Sequence, residues 1–333
     1  MLRYLLPLVL FGVLGCGPEP AEEREAPTAA GSDPAVVQLT ELLAARPEDA
    51  ALYAQRARLY YERGNLPDAV ADLQQATRLD SSSLDYAYGL ADLYLDSEQP
   101  DRAIGVLERA VRMHPREVES RLRLGEAQLI QQRYGEAEAT LDTAIALNAG
   151  SAEAYYLLSQ VHAEAGDTTR ALAAAQTAAR LDPGMTDAYL LLGDLSAGQG
   201  GNPRALAYYD SAVASNPNDV IAVHARANYF YRSGQLQRAL AEYRRVSTID
   251  RQYVEGNFNA GLILLELDSL QQAYREFNIA VNNDPASMEA YLYRGYASEQ
   301  LGDVAAARRD FETVLRMDPD FTPAQEALAR LNG

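Results

Sequence analysis

The sequence predicts an all-α solenoid: eight helix hairpins of 34 residues in unbroken succession over 50–321, a half-repeat helix before them over 33–49 and a capping helix after them over 322–333. Three observations carry this. With Ala50 as position 1 of a 34-residue frame, position 20 is alanine in all eight copies, from Ala69 and Ala103 through Ala137, Ala171, Ala205, Ala239 and Ala273 to Ala307. Position 8 is always small: Ala57, Ala91, Gly125, Ser159, Gly193, Ala227, Gly261 and Gly295. Each period also holds two apolar stripes at helical spacing, one at positions 4, 7, 8 and 11 and the other at 20, 24, 27 and 28.

The punctuation of each period agrees with the stripes. Five copies have glycine at position 15 (Gly64, Gly166, Gly200, Gly234, Gly302), where the first helix must end in a left-handed residue. Five have proline at position 32 (Pro115, Pro183, Pro217, Pro285, Pro319), which stops the second helix. Small residues at 8 and 20 let antiparallel helices approach closely. A hairpin of this kind leaves one flank apolar and must stack on its neighbours, which makes the array a solenoid. At its ends, Asp33-Pro34 reads as an N-cap with proline at the first helical position, and Thr322-Pro323-Ala324-Gln325 reads as a capping box.

In period and in these positions the array resembles the tetratricopeptide-repeat family. The resemblance spans residues 50–321, in the frames 50–83, 84–117, 118–151, 152–185, 186–219, 220–253, 254–287 and 288–321. It implies a right-handed superhelix whose first helices line a concave groove that binds other proteins. Two departures stand out. Tyr53, Tyr155, Tyr189 and Tyr291 replace the family's tryptophan at position 4, and Arg56, Arg226 and Arg294 occupy position 7, where leucine is usual. The arginine stems are expected to pack while their guanidinium groups reach water.

The first fifteen residues read as an export signal: Arg3, then the apolar run Tyr4 to Leu14, too short to span a bilayer. The run ends in Val13-Leu14-Gly15-Cys16, which resembles the bacterial lipobox and implies that Cys16, the only cysteine, is lipidated. Residues 16–32 are the lipidated cysteine and a Pro-, Ala- and Glu-rich disordered tether. Gly17 stands where the resemblance would put an inner-membrane retention aspartate, so the expected address is the outer membrane, on its periplasmic face, with the cell-surface face left open. The membrane is expected to be contacted through the lipid anchor alone.

Composition excludes several classes. The formal net charge is -18, and all 29 basic residues are arginine, so nucleic acid is not an expected partner. One cysteine permits no thiol-based zinc site. His114, His162 and His224 do not cluster; His162 falls on a packing position, and Gly198-Gln199-Gly200-Gly201 is a turn between helices with no strand before it. Neither an enzyme nor a cofactor is expected.

Helical geometry puts positions 2, 5, 6, 9, 12 and 13 of the first helices opposite their packing stripe. Of these 48 positions fourteen are acidic, three basic and seven aromatic. The candidate groove residues are Arg58, Tyr61, Glu62, Tyr88, Asp92, Asp96, Arg123, Glu126, Tyr156, Glu164, Asp194, His224, Asn228, Tyr231, Phe258, Asn259, Glu266, Tyr293 and Tyr296. Glu62, Asp96, Glu164 and Glu266, at position 13, oppose the helix dipole at about a few tenths of a kcal/mol each. Selection for an acidic groove and a general acidic bias both explain them. The Lys and Asn clamp with which some family members grip a partner's C-terminal carboxylate is missing. The expected function is a lipid-anchored scaffold for envelope proteins, which would enter the groove as a basic or aromatic extended segment. The alternative is a glycan-capture lipoprotein paired with an outer-membrane nutrient transporter.

Overall fold

The computed structural model describes residues 33–197 and 202–332; the expected export signal, Cys16 and the expected tether over 16–32 lie outside the described residues. Among the described residues there are eighteen helices and no strand. After α1 (Pro34–Ala45) come eight pairs: α2 (Ala50–Glu62) with α3 (Leu66–Leu79), α4 (Leu84–Asp96) with α5 (Pro100–Met113), α6 (Glu119–Ile130) with α7 (Tyr134–Leu147), and α8 (Ala152–Glu164) with α9 (Thr168–Leu181). The series continues with α10 (Thr186–Ala197) and α11 (Pro203–Ser215), α12 (Val220–Arg232) and α13 (Leu236–Ile249), α14 (Val254–Glu266) and α15 (Leu270–Asn283), and α16 (Met288–Gln300) and α17 (Val304–Met317), before α18 (Thr322–Asn332). Each helix packs on those next to it in the chain, so the fold is a stack of hairpins.

The fifth hairpin's turn, residues 198–201, lies outside the described residues; in the other seven the turn is the same whether or not it holds glycine. Gly64, Gly166, Gly234 and Gly302 have positive φ, and so do Glu98, Gln132 and Asp268 at φ 55°, 57° and 52°. In each case the next amide donates back to the carbonyl five residues before it, as Asn65 does to Tyr60 at 2.9 Å and Arg133 to Gln128 at 2.8 Å. This is the Schellman closure, which satisfies carbonyls that the helix end leaves open. Several side chains cap the following helices, including Asp33, Ser83, Asp167, Asp219 and Asp303.

The core follows the 34-residue frame. All eight position-20 alanines are fully buried. Position 8 adjusts to position 24, which lies across from it on the second helix. A Cβ added to Gly193 would meet the Tyr209 ring at 2.4 Å, one on Gly261 the Phe277 ring at 2.6 Å, and one on Gly295 the Phe311 ring at 2.5 Å. In the fourth repeat both positions are small, Ser159 at position 8 and Ala175 at 24, and both are fully buried.

The expectation for the position-7 arginines is corrected. Their guanidinium groups turn inward. Arg56 donates to both carboxylate oxygens of Asp72, at 2.6 and 2.7 Å, and Arg294 to both of Asp310, at 2.9 and 2.6 Å. Arg226 donates to Glu242 at 2.9 Å. The acids all stand at position 23 of the same repeat, and Asp72 and Asp310 are buried. Each arginine has a second reach, to position 25 of the preceding unit: Thr40 at 2.9 Å, Asp210 at 2.9 Å and Asn278 at 2.8 Å. The polarity that made water seem the natural destination is met instead by a planar fork matched to a carboxylate. The seventh repeat inverts the device: Ala260 holds position 7, and Arg244 from the preceding repeat reaches Glu276 at 2.9 Å.

Candidate binding groove

First helices of successive repeats approach one another, α4 with α6, α6 with α8, α10 with α12 and α14 with α16, whereas second helices show no comparable approach. The first helices therefore form the inner side of the stack. Groove-facing side chains from consecutive repeats join across it. Tyr88 Oη and Ser120 Oγ are 2.8 Å apart, Arg123 reaches Asp92 at 3.1 Å, and Tyr231 donates to Glu266 at 2.6 Å. The last helix, α18, takes a first-helix place, and its Arg330 meets Glu299 of α16 at 3.1 Å.

The N-terminal half of the groove is rich in carboxylates. Arg123 lies 4.7 Å from the centre of the Tyr88 ring and donates to Glu119 at 2.7 Å as well as to Asp92. Asp92 and Glu119 thus share this one guanidinium, and Glu153 lies within reach of its charge and of those of Glu119 and Glu126. Burial, then the charges of Glu119 and Glu126, push the Glu153 carboxyl above its ordinary range, with Arg123 opposing. Arg58 pairs with Glu62 at 2.9 Å on an exposed surface. The Tyr61 phenol is held above its usual range by its hydrogen bond to Asp96.

The position-13 acids each have a partner in the structure: Glu62 has Arg58, Asp96 has Tyr61, Glu164 has Tyr134 at 3.5 Å and Glu266 has Tyr231. These contacts offset the small dipole cost at the helix ends.

The C-terminal half differs in chemistry. The His224 ring lies between the amides of Asn228, 3.4 Å from Nδ1, and Asn259, 3.3 Å from Nε2. Tyr243 and Tyr253 flank it at ring-centroid distances of 5.7 and 5.4 Å. With no cation-stabilising group among these neighbours, burial lowers the His224 pKa to about 4. Phe258, Tyr293 and Tyr296 interlock with the core rings Phe277 and Phe311 at centroid distances of 5.4 to 5.8 Å, mostly edge to face. Tyr156 in the middle of the groove accepts from Gln160 at 3.2 Å, and burial pushes its phenol up to about 12.

Two groove contacts come from residues that helical arithmetic on the first helices does not reach. Tyr209 and Tyr243, at position 24 of the second helices, pass beside the small residue at position 8. They donate to position 9, Tyr209 to Asp194 at 2.6 Å and Tyr243 to Asn228 at 2.5 Å. The signal was present as tyrosine at 24 with Gly193 or Ala227 at 8. Asp194 is open to water yet enclosed by the groove walls. That enclosure raises its carboxyl above the ordinary range, while the Tyr209 hydroxyl opposes the rise.

His162 is buried in the helix stack, and the His114 ring lies 2.9 Å from the Ser82 carbonyl. Among the described residues no group of three His, Cys, Asp or Glu is placed to hold a metal ion.

A stack of antiparallel hairpins with a side-chain-lined inner face is a repeat scaffold, the class of fold that presents an extended surface to other proteins. Models of the tetratricopeptide repeat match residues 88–152, 131–186, 190–254 and 258–331, and a further repeat model matches 57–97. The chain belongs to the tetratricopeptide-repeat family. Among curated proteins it is 28% identical over 101 residues to Tetratricopeptide repeat protein 16 of Macaca fascicularis, covering 28% of this chain and 12% of that protein. It is 31% identical over 91 residues to the probable UDP-N-acetylglucosamine–peptide N-acetylglucosaminyltransferase SPINDLY of Solanum lycopersicum, covering 27% of this chain and 10% of that enzyme. This chain thus matches only about a tenth of either relative's length. A solved structure, the C-terminal part of a TPR repeat-containing protein from Cytophaga hutchinsonii, superposes with a TM-score of 0.59 at 16% identity, over 72% of this chain and 99% of that one. That likeness is one of fold.

Proposed function

We propose that this protein is a lipid-anchored adaptor of the bacterial envelope whose groove holds a basic, extended segment of a partner protein. One observation carries the reading: Asp92 and Glu119 share the single guanidinium of Arg123, and burial followed by the charges of Glu119 and Glu126 raises the neighbouring Glu153 carboxyl. Uncompensated like charge in a concavity disfavours the free state and is relieved by a bound cation, so it favours a basic ligand over a neutral glycan. The interlocked rings of the C-terminal half also favour a protein over a sugar, because they pack against one another and against Phe277 and Phe311.

The groove is tested with two fluorescein-labelled twelve-residue Gly-Ser peptides, one with arginine and one with lysine at every third position, by anisotropy against the full chain in detergent. Both peptides should bind, and Glu126→Arg/Glu153→Arg should weaken both about tenfold or more, as a loss of ~1.4 kcal/mol requires. Absence of binding by either peptide, or affinities indifferent to the reversal, refutes the reading. The anchor is supported by Val13-Leu14-Gly15-Cys16 behind the export signal. Cys16→Ser should move the protein from the detergent phase to the aqueous phase in a phase-separation assay, and a variant that still partitions with detergent refutes lipidation there.

A further inference from the structure

Between the first helices of repeats 1 and 2 the groove opens into a recess of about 420 Å³. Its origin is local and can be traced to two residues. Wherever two repeats meet, position 5 of one and position 6 of the next share the groove floor. At the other six steps at least one of the pair is bulky: Tyr88 with Arg123, Leu122 with Leu157, Tyr156 with Leu191, Leu190 with Ala225, His224 with Asn259, and Phe258 with Tyr293. At the first step the pair is Ala54 and Gly89, and both line the recess.

The lining has two layers. The floor is apolar, with Ala57, Leu73 and Leu93. The rim carries three carboxylates, Asp85, Asp92 and Asp96, all exposed. The one rim cation, Arg58, is already paired with Glu62, and Asp92 shares Arg123 with Glu119. Asp85 and Asp96 form no ion pair among the described residues, and Asp96 takes a hydrogen bond from Tyr61. An apolar floor below an anionic rim suits a side chain with an aliphatic stem and a cationic head. Of the two such side chains, arginine matches better, because its planar fork can address two carboxylates at once and is less strongly hydrated than an ammonium.

We infer that this recess is a specificity pocket for one arginine side chain of the bound segment, and so fixes its register along the groove. The inference rests on the groove reading above and names the residue that reading leaves open.

The arginine and lysine peptides, each measured against the full chain, provide the test. Wild-type protein should prefer the arginine peptide by about fivefold, since both carry the same charge and differ only in the fork. Gly89→Leu and Ala54→Leu, each made separately, should abolish the preference while leaving the lysine peptide bound. Both variants are built to fold: leucine already stands at position 6 as Leu157 and Leu191, and at position 5 as Leu122, Leu190 and Leu292. A Cβ at Gly89 meets only the end of the Leu73 side chain, at 3.0 Å, which can turn aside. Retained binding of the lysine peptide reports an intact groove. Equal affinity for the two peptides in the wild type, or a preference that survives both substitutions, overturns the pocket while the groove stands. Binding of neither peptide overturns both.

Discussion

Arg294→Leu is the most informative single substitution in this array. Arg294 and Asp310 are nearly enclosed, with side-chain exposures of 15% and 8%. The substitution removes both bonds to Asp310 and the bond to Asn278 in the repeat before it. Leaving a carboxylate buried without its partner costs about 3–5 kcal/mol, and the lost bond to Asn278 adds about 1 kcal/mol. Leucine regains part of this by packing where the arginine stem lay. The protein supplies its own control, because the second repeat builds the same pair of positions from Leu90 and Val106. Arg294→Leu/Asp310→Val should therefore lie within about 1–2 kcal/mol of the wild type, since replacing a buried ion pair by apolar residues is often neutral. A solenoid need not unfold in one step, so urea melting is best paired with amide hydrogen exchange of α16 and α17. The single variant should lose protection there by several kcal/mol while α2 to α5 are unchanged. A loss below about 1 kcal/mol, or a double variant as weak as the single one, refutes the account of these pairs as buried and mutually dependent.

Glu98→Gly, Gln132→Gly and Asp268→Gly should each stabilise the chain, by about 0.5–1 kcal/mol. Each residue has φ above 50°, where a side chain costs about 1–2 kcal/mol and glycine's own entropy offsets part of the gain; a fall in the melting temperature of any of the three would contradict this. His224 should titrate near 4, well below its ordinary 6.5, in histidine-resolved NMR. Because the folded value lies below the unfolded one, the unfolded chain takes up this proton first as pH falls. Stability should drop between pH 6.5 and about 4 and level off below that, and His224→Gln should remove this part of the pH profile. A His224 signal that titrates near 6.5 would show that the ring is solvated.

The fold was legible almost entirely, because what makes a hairpin repeat is written locally. Apolar spacing sets which face of each helix is buried, and the alanine at position 20 and the small residue at position 8 mark where two helices touch. The left-handed turn was less so. Gly64 and Gly166 announce it, but Glu98, Gln132 and Asp268 do not, and they adopt it because the packed helices on either side leave the backbone no other closure. In the groove, helical arithmetic identified a common face, since positions on one side of a helix follow from 100° per residue. It did not identify partners. Glu266 and Tyr231 are 35 residues apart, and Asp194 is held by a tyrosine from the second helix.

The sequence by itself thus determined the period, the all-helical stack and the family, because each of these depends on spacing within a helix. Tertiary structure alone decided where the charges go. Arg56, Arg226 and Arg294 turn inward because an acid from the second helix and a polar group from the preceding unit converge there. The recess beside Gly89 exists because two small residues, 35 positions apart in the chain, share one patch of floor. Both are properties of two or three helices meeting, and a periodic sequence states which helices meet only once its hairpins are stacked.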